Sequence, residues 1–447
     1  MEPLQPPAAQ PTGPARLSRL QKKVWFLSGV GVFLDGFDLF IIGVALPLIA
    51  DQFMLGGAEQ GIVGAAAVLG AVLGAAALGR MADRFGRRRL FMVDLSLFVI
   101  FAVASALSWG LWSLVAFRFL LGFAVGADYP IASTYLAEFM PTRVRGRWTV
   151  GAFSFQAIGM LTGASLGVAI LLSGVDQDLA WRLMLGAGAI PALVIVWLRR
   201  HVPESPEWQN HKDSGARPAP VRALFTPGVR RRTTLAVVPW FIMDILLYGV
   251  GIFTPTVLAA LSFTGDGSIA SRDLASTEGA AFLDIFLVVG FIIAILLVER
   301  WGRMRLQLLG FAGTTVGLAI LATASLGSGS MPFVFLGFAL FNLLVNVGPN
   351  STTFLVAAEV FPTELRATGA GLAASAAKMG AVVGIILLPI LTESIGIPAT
   401  MYIVSGVSLI GFVVTAIFRV ETAGRTLDEI NTMPYPVLRP HGDSGQG

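Results

Sequence analysis

Apolar residues run along this chain in long blocks divided by short polar stretches. The blocks fall near 24–49, 58–79, 90–110, 112–139, 148–173 and 181–198. A polar stretch over 199–232 follows, then six more blocks near 233–261, 277–298, 306–327, 331–358, 368–392 and 398–419. A helix of roughly 20 apolar residues crosses a bilayer. Hydrocarbon offers backbone groups no outside hydrogen-bond partner, so each block is expected to be helical. The pattern predicts an all-α membrane protein with twelve transmembrane helices in two six-helix bundles. The expected organisation is a disordered tail over 1–21, an N-terminal bundle over 22–200, a central loop over 201–232, a C-terminal bundle over 233–420 and a tail over 421–447.

The loops orient the spans, because cytoplasmic loops collect Lys and Arg. The loop after the second span holds Arg80, Arg84, Arg87, Arg88 and Arg89. Those after the fourth and eighth hold Arg143, Arg145 and Arg147, and Arg300, Arg303 and Arg305. The alternate loops are nearly free of bases. Both termini, the central loop and the C-terminal tail are therefore expected in the cytoplasm.

Composition agrees with this class: 55% of residues are hydrophobic and 13% charged, where soluble domains carry about 25% charged residues. Cysteine is absent, so no disulfide supports the fold. No His/Cys cluster has metal spacing, and no Gly-rich loop of the Lys-Ser/Thr type could cradle a nucleotide. No cofactor, enzymatic centre or nucleic-acid site is expected.

Polar groups inside the apolar blocks carry the functional expectation. Trp240, Asp244 and Tyr248 stand four apart, hence on one helical face. Asp35 and Asp38 stand three apart in the first block. Asp128 and Tyr129 lie mid-block in the fourth, Lys378 about ten residues into the eleventh, and Asn342, Asn346 and Asn350 repeat every four residues in the tenth. Ionisable residues at membrane depth are costly and mark solute or ion paths by default. Arg118 is expected to pair with Asp35 or to cap carbonyls.

Two segments repeat. Ala137-Glu138-Phe139-Met140-Pro141-Thr142-Arg143-Val144-Arg145 recurs, 221 residues on, as Ala358-Glu359-Val360-Phe361-Pro362-Thr363-Glu364-Leu365-Arg366. Asp83-Arg84-Phe85-Gly86-Arg87 recurs, 216 residues on, as Glu299-Arg300-Trp301-Gly302-Arg303. Two echoes at nearly one spacing imply a duplicated six-span unit. Their charges, Asp83, Arg84, Arg87, Glu138, Arg145, Glu299, Arg303, Glu359 and Arg366, are expected to form a cytoplasmic gate. Glu138 would pair with Arg87 or Arg145. Asp83 would accept from the amides at a helix N-terminus or pair with Arg143 or Arg145.

These motifs carry a resemblance. Gly79-x3-Asp83-Arg84-x-Gly86-Arg87-Arg88 and Arg118-x3-Gly122-x3-Gly126 resemble signatures of the major facilitator superfamily. Tyr135-x2-Glu138-x2-Pro141-x3-Arg145-Gly146, Trp181-Arg182 and Pro203-Glu204-Ser205-Pro206 resemble its sugar-porter-like branch. Within that branch, Asp35-Gly36-Phe37-Asp38, Gly126-Ala127-Asp128-Tyr129-Pro130, Trp240-x3-Asp244-x3-Tyr248 and Gly348-Pro349-Asn350 are similar to motifs of the phosphate:proton symporters. Ala127 stands where that family has a second glycine, and the central loop is shorter than in its eukaryotic members.

The resemblance implies a cavity lined by the first, fourth, seventh and tenth spans, each of which carries polar groups here. It implies a phosphate site of Tyr129, Gln156, Trp240, Asp244, Tyr248 and Asn350, with Lys378 beside it, and proton handling by Asp35, Asp38 and Asp128. Asp35 and Asp38 are the expected titrating pair. The chemistry is consistent: tyrosine, tryptophan and the amides supply donors, and a carboxylate accepts from a phosphate hydroxyl that sulfate lacks. The expected function is proton-coupled phosphate transport by alternating access in a bacterial inner membrane, by a monomer whose partners are a small solute, protons and the lipid bilayer. A proton-coupled carrier of an organic solute (a sugar, an aromatic acid or another carboxylate) and a non-transporting sensor on the same fold remain open.

Overall fold

The computed structural model describes residues 17–126, 128–200, 203–205, 208, 209, 213, 220–262, 283, 285–326 and 330–432. Ten of its helices are long and apolar enough to cross a membrane. One of them, Arg366–Phe418, is 53 residues long and breaks at Gly396 (φ 83°, ψ 162°), so it supplies the eleventh and twelfth spans. The helix Ile285–Leu297 is the described part of the eighth. Together these make the twelve expected spans, and residues 263–282 of the expected seventh-to-eighth connection lie outside the described residues.

Local chemistry sets the span ends. Ser18 caps the first span, Arg19–Phe53: its hydroxyl accepts from the Gln21 amide at 3.1 Å while Gln21 Oε1 accepts from the Ser18 amide at 2.9 Å. Gly86 ends the second span, Gly57–Phe85, with φ 101°. Its repeat equivalent Gly302 starts the ninth, Arg303–Ala324, with φ 87°. Both φ values belong to glycine.

The fourth span covers Leu111–Phe139 and carries Pro130. The tenth span is interrupted at the depth of the intramembrane polar residues: it is Met331–Val347 followed by Pro349–Glu359, broken at Gly348 (φ −107°, ψ −101°). Proline has no N–H for the ladder but fits a first helical turn. The break at Gly348 starts a new helix at Pro349, with Asn350 in its first turn.

Close backbone approaches fix the spans relative to one another. A Cβ on Gly36 would stand 2.2 Å from the Gln156 carbonyl, so the first span lies directly on the fifth and holds Gln156 in place. A Cβ on Gly79 would stand 2.8 Å from the Ala367 carbonyl and 2.9 Å from Gly371 Cα. That contact brings the second span, in the first half, onto the eleventh, in the second half.

The polar segments flanking the bundles are more structured than expected. Arg199 belongs to the sixth span (Gln177–Ala187 and Ala189–Arg199) and is buried. The chain after the twelfth span packs back instead of trailing away. Glu421 accepts from the amides of Arg303 and Met304 at 3.0 and 3.1 Å, and a short helix, Leu427–Thr432, buries Leu427 and Ile430. Four exposed N–H groups at a helix start attract such a carboxylate. The segment 421–432 is thus a docked strap, where the sequence reading expected a tail.

Candidate functional site

Seven residues named from the sequence line one small cavity: Tyr129, Gln156, Trp240, Asp244, Tyr248, Asn350 and Lys378. They come from the fourth, fifth, seventh, tenth and eleventh spans. Phe153, Met243, Leu247, Phe291 and Phe354 complete its wall. A second cavity, lined by Asp35, Asp38, Val68, Leu121, Tyr248 and Lys378 among others, lies against it. The two leave about 10 and 20 Å³ for the centre of a water-sized sphere, room for about one water each. Lys378 and Tyr248 line both and form the wall between them.

Among the described residues, Lys378 is the only cation lining either cavity. Its Nζ donates to the Tyr248 hydroxyl at 3.1 Å and lies 3.8 Å from Asp244 Oδ2. It also stands 4.6 Å from the centre of the Tyr129 ring, a cation–π distance. Asp35 lines one cavity and Tyr129 the other, and neither Asp35 Oδ2 nor the Tyr129 hydroxyl has a close hydrogen-bond partner among the described residues. A buried polar atom with no partner is uncommon and asks for an explanation. These two atoms and Asp244 Oδ2 belong to residues that line the cavities.

The other acids are arranged differently from the sequence expectation. Asp38 lines the same cavity as Asp35 and pairs with Arg118 at 2.6 Å, both side chains being buried. Arg118 therefore reaches Asp38, not Asp35. A three-residue spacing sets Asp38 about 4.5 Å further along the helix axis than Asp35, at the level of the fourth span's arginine. Asp128 lies 3.4 Å from Arg199, and Arg199 lies 3.5 Å from Asp94. Arg199 also donates to the carbonyls of Phe91 and Leu27 at 2.8 and 3.0 Å and sits on the Phe91 ring. The sequence reading missed Asp94 and Arg199. Asp94 was visible as a lone acid within the apolar block 90–110, and Arg199 fell into the polar stretch after the sixth block.

The repeat charges meet at the arginine-rich end. Arg145 pairs with Glu359 at 2.6 Å, and Arg366 pairs with Glu138 at 3.1 Å. These two links join the halves and are one contact repeated, since each residue of one link lies 221 positions from its counterpart in the other. Glu138 also meets Arg87 at 3.2 Å, and Glu359 meets Arg303 at 3.2 Å. Asp83 accepts from the amide and hydroxyl of Thr368, at 2.7 and 2.6 Å, at the start of the eleventh span. It pairs with Arg87 at 3.1 Å and with neither Arg143 nor Arg145. Glu299 holds Arg303 at 2.6 Å and accepts from the Arg147 amide at 3.1 Å. Glu138 thus takes Arg87 as expected, but its second arginine is Arg366 and not Arg145. Arg84 stays exposed, over the Phe85 ring, outside this network.

Similarity to known proteins follows the same lines. The family model described as Major Facilitator Superfamily matches residues 29–377. The chain is 30% identical to a protein named probable inorganic phosphate transporter 1-10 from Oryza sativa subsp. japonica, over 93% of this chain and 90% of that one. It is 29% identical to the putative metabolite transport protein YaaU of Escherichia coli (strain K12), over 94% and 96%. Among solved structures, the proton:xylose symporter XylE superposes with a TM-score of 0.81 at 20% identity, covering 92% of this chain and 98% of that one.

Proposed function

We propose that this chain, which belongs to the major facilitator superfamily, carries inorganic phosphate across a membrane together with protons by alternating access. One observation carries the reading: the seven residues lining the cavity converge from five spans around a single lysine. Polar groups facing lipid would be expelled, so their convergence needs a polar occupant.

The site's chemistry suits a protonated phosphate. Tyr129, Gln156, Trp240, Tyr248 and Asn350 supply donors, and Lys378 supplies the positive charge. The helix that starts at Pro349 carries Asn350 in its first turn, and its positive dipole end adds to the attraction for an anion. Asp244 accepts from a phosphate hydroxyl. Facing a sulfate, which has no hydrogen to give, it would be left unsatisfied, and that rejects the wrong anion.

Lys378 couples solute to proton. It stands between Asp244, on the solute side, and the cavity of Asp35. A proton on Asp35 removes a negative charge from the lysine's surroundings and leaves Lys378 to the anion. Release of that proton returns the lysine to its carboxylates and favours departure of the solute. Asp38 and Asp128, each beside an arginine, serve as fixed charges along this path. The arginine-rich end faces the cytoplasm of a bacterial inner membrane, following the distribution of basic loops. The ion pairs there close that face, and the two small cavities belong to a closed state of the carrier.

A second reading, transport of an organic acid, is favoured by the apolar wall of Phe153, Met243, Leu247, Phe291 and Phe354. Uptake of radiolabelled phosphate into proteoliposomes under an inward proton gradient separates the two. The expected result is gradient-driven uptake displaced by phosphate but not by sulfate or organic acids. Asp244→Asn abolishes it without loss of protein in the membrane. Failure of the wild type to take up phosphate, or normal uptake by Asp244→Asn, rejects the assignment.

A further inference from the structure

The tenth span carries three asparagines, of which only Asn350 lines the cavity. Asn346 lies one turn below and is wholly buried. Its Nδ2 donates to the backbone carbonyl of Asn342 at 2.7 Å. Its Oδ1 accepts from Asn350 Nδ2, also at 2.7 Å. The Asn342 side chain has a separate task and donates to the Leu283 carbonyl at 3.3 Å.

A carboxamide placed alone can be turned over, since its oxygen and nitrogen have similar shapes. This one cannot. A backbone carbonyl only accepts, so the Asn346 atom facing Asn342 must be the nitrogen. The Asn346 oxygen therefore faces Asn350, and the Asn350 atom that meets it must also be a nitrogen. One orientation at a backbone carbonyl thus sets the next two amides. Asn350 is left with its oxygen and one remaining N–H for the cavity, and no described residue donates to that oxygen.

We propose that Asn346 is a positioning residue that fixes the Asn350 amide with its carbonyl toward the cavity, so that the site selects solutes bringing a second hydrogen-bond donor. Asp244 takes the first solute hydrogen and Asn350 the second. The dihydrogen phosphate monoanion carries two hydroxyls, the methylphosphonate monoanion one, and sulfate none. The inference rests on the phosphate reading and adds to it the residue outside the cavity that sets its discrimination.

The test uses the full chain in proteoliposomes at mildly acidic pH, with phosphate counterflow and no imposed gradient. Methylphosphonate is the competing probe, because its charge matches phosphate and it lacks one hydroxyl. Two variants of nearly equal shape decide the matter. The hydroxyl of Asn346→Thr can donate to the carbonyl four residues back and accept from Asn350, which keeps the orientation. Asn346→Val can do neither and frees the Asn350 amide to turn.

The wild type and Asn346→Thr are expected to prefer phosphate over methylphosphonate by about tenfold, the effect of one unmatched buried acceptor. Asn346→Val is expected to lose most of that preference while still exchanging phosphate. Asn342→Leu, which removes a buried amide on the same helix but keeps its carbonyl, should retain it. If Asn346→Val does not accumulate, Asn346→Ala makes the same comparison with less bulk. Equal preference in the Thr and apolar variants, or none in the wild type, overturns the inference. Phosphate exchange in all variants with an unchanged preference over methylphosphonate leaves the phosphate reading standing while the role of Asn346 falls; absence of phosphate exchange in the wild type removes both.

Discussion

Arg145→Gln removes one of the two ionic links between the halves while leaving every carboxylate a counterion. Glu359 loses its 2.6 Å pair with Arg145 but keeps Arg303 at 3.2 Å. A buried charge left with no partner costs roughly 3–5 kcal/mol. Because Arg303 stays, the smaller figure for hydrogen bonds to charged groups applies, roughly 1.5–3 kcal/mol. Separating the halves breaks this link, so the whole loss falls on the balance between the closed and open forms of the arginine-rich end. At about 1.4 kcal/mol per tenfold, the variant moves that balance about 10- to 100-fold toward open. Arg366→Gln should do the same, since Glu138 retains Arg87 at 3.2 Å. The chain contains no cysteine, so labels can be placed without removing any. Spin labels on Arg84→Cys and Arg300→Cys, exposed positions in opposite halves, report the separation by pulsed electron resonance in nanodiscs. The expected outcome is a long-distance population that grows in both variants. A distribution unchanged in both would refute the idea that these pairs hold the end closed.

Two other outcomes follow from the buried acids. Arg118→Leu leaves Asp38 buried without its 2.6 Å partner and should lower thermal stability in detergent, by roughly 3–5 kcal/mol if the chain unfolds reversibly. The double variant Arg118→Leu with Asp38→Leu should recover most of it, and equal damage in both would show that packing, not charge, is at stake. Asp35→Asn should weaken proton-driven accumulation of phosphate more than counterflow exchange; an equal fall in both assays would assign Asp35 to solute binding or structure instead.

The sequence by itself determined the class, the number of spans and the duplication. Those follow from the energy of apolar and charged groups in hydrocarbon and from a repeat that can be read letter by letter. The resemblance of its motifs to those of the phosphate:proton symporters also named the seven residues now found around one cavity. It could not say which charge meets which. The 221-residue repeat marks Glu138 and Arg145 as a set with Glu359 and Arg366, yet each acid pairs with the arginine of the other half, a consequence of how two bundles face each other. Asp38 rather than Asp35 takes Arg118 because of its height along the first span, and Arg199 turns inward because its span continues past the last apolar residue. The orientation of Asn350 depends on a carbonyl two turns away along the helix. Pairing and orientation of this kind depend on distances of a few ångströms between segments far apart in the chain, and only the packed tertiary structure supplies them.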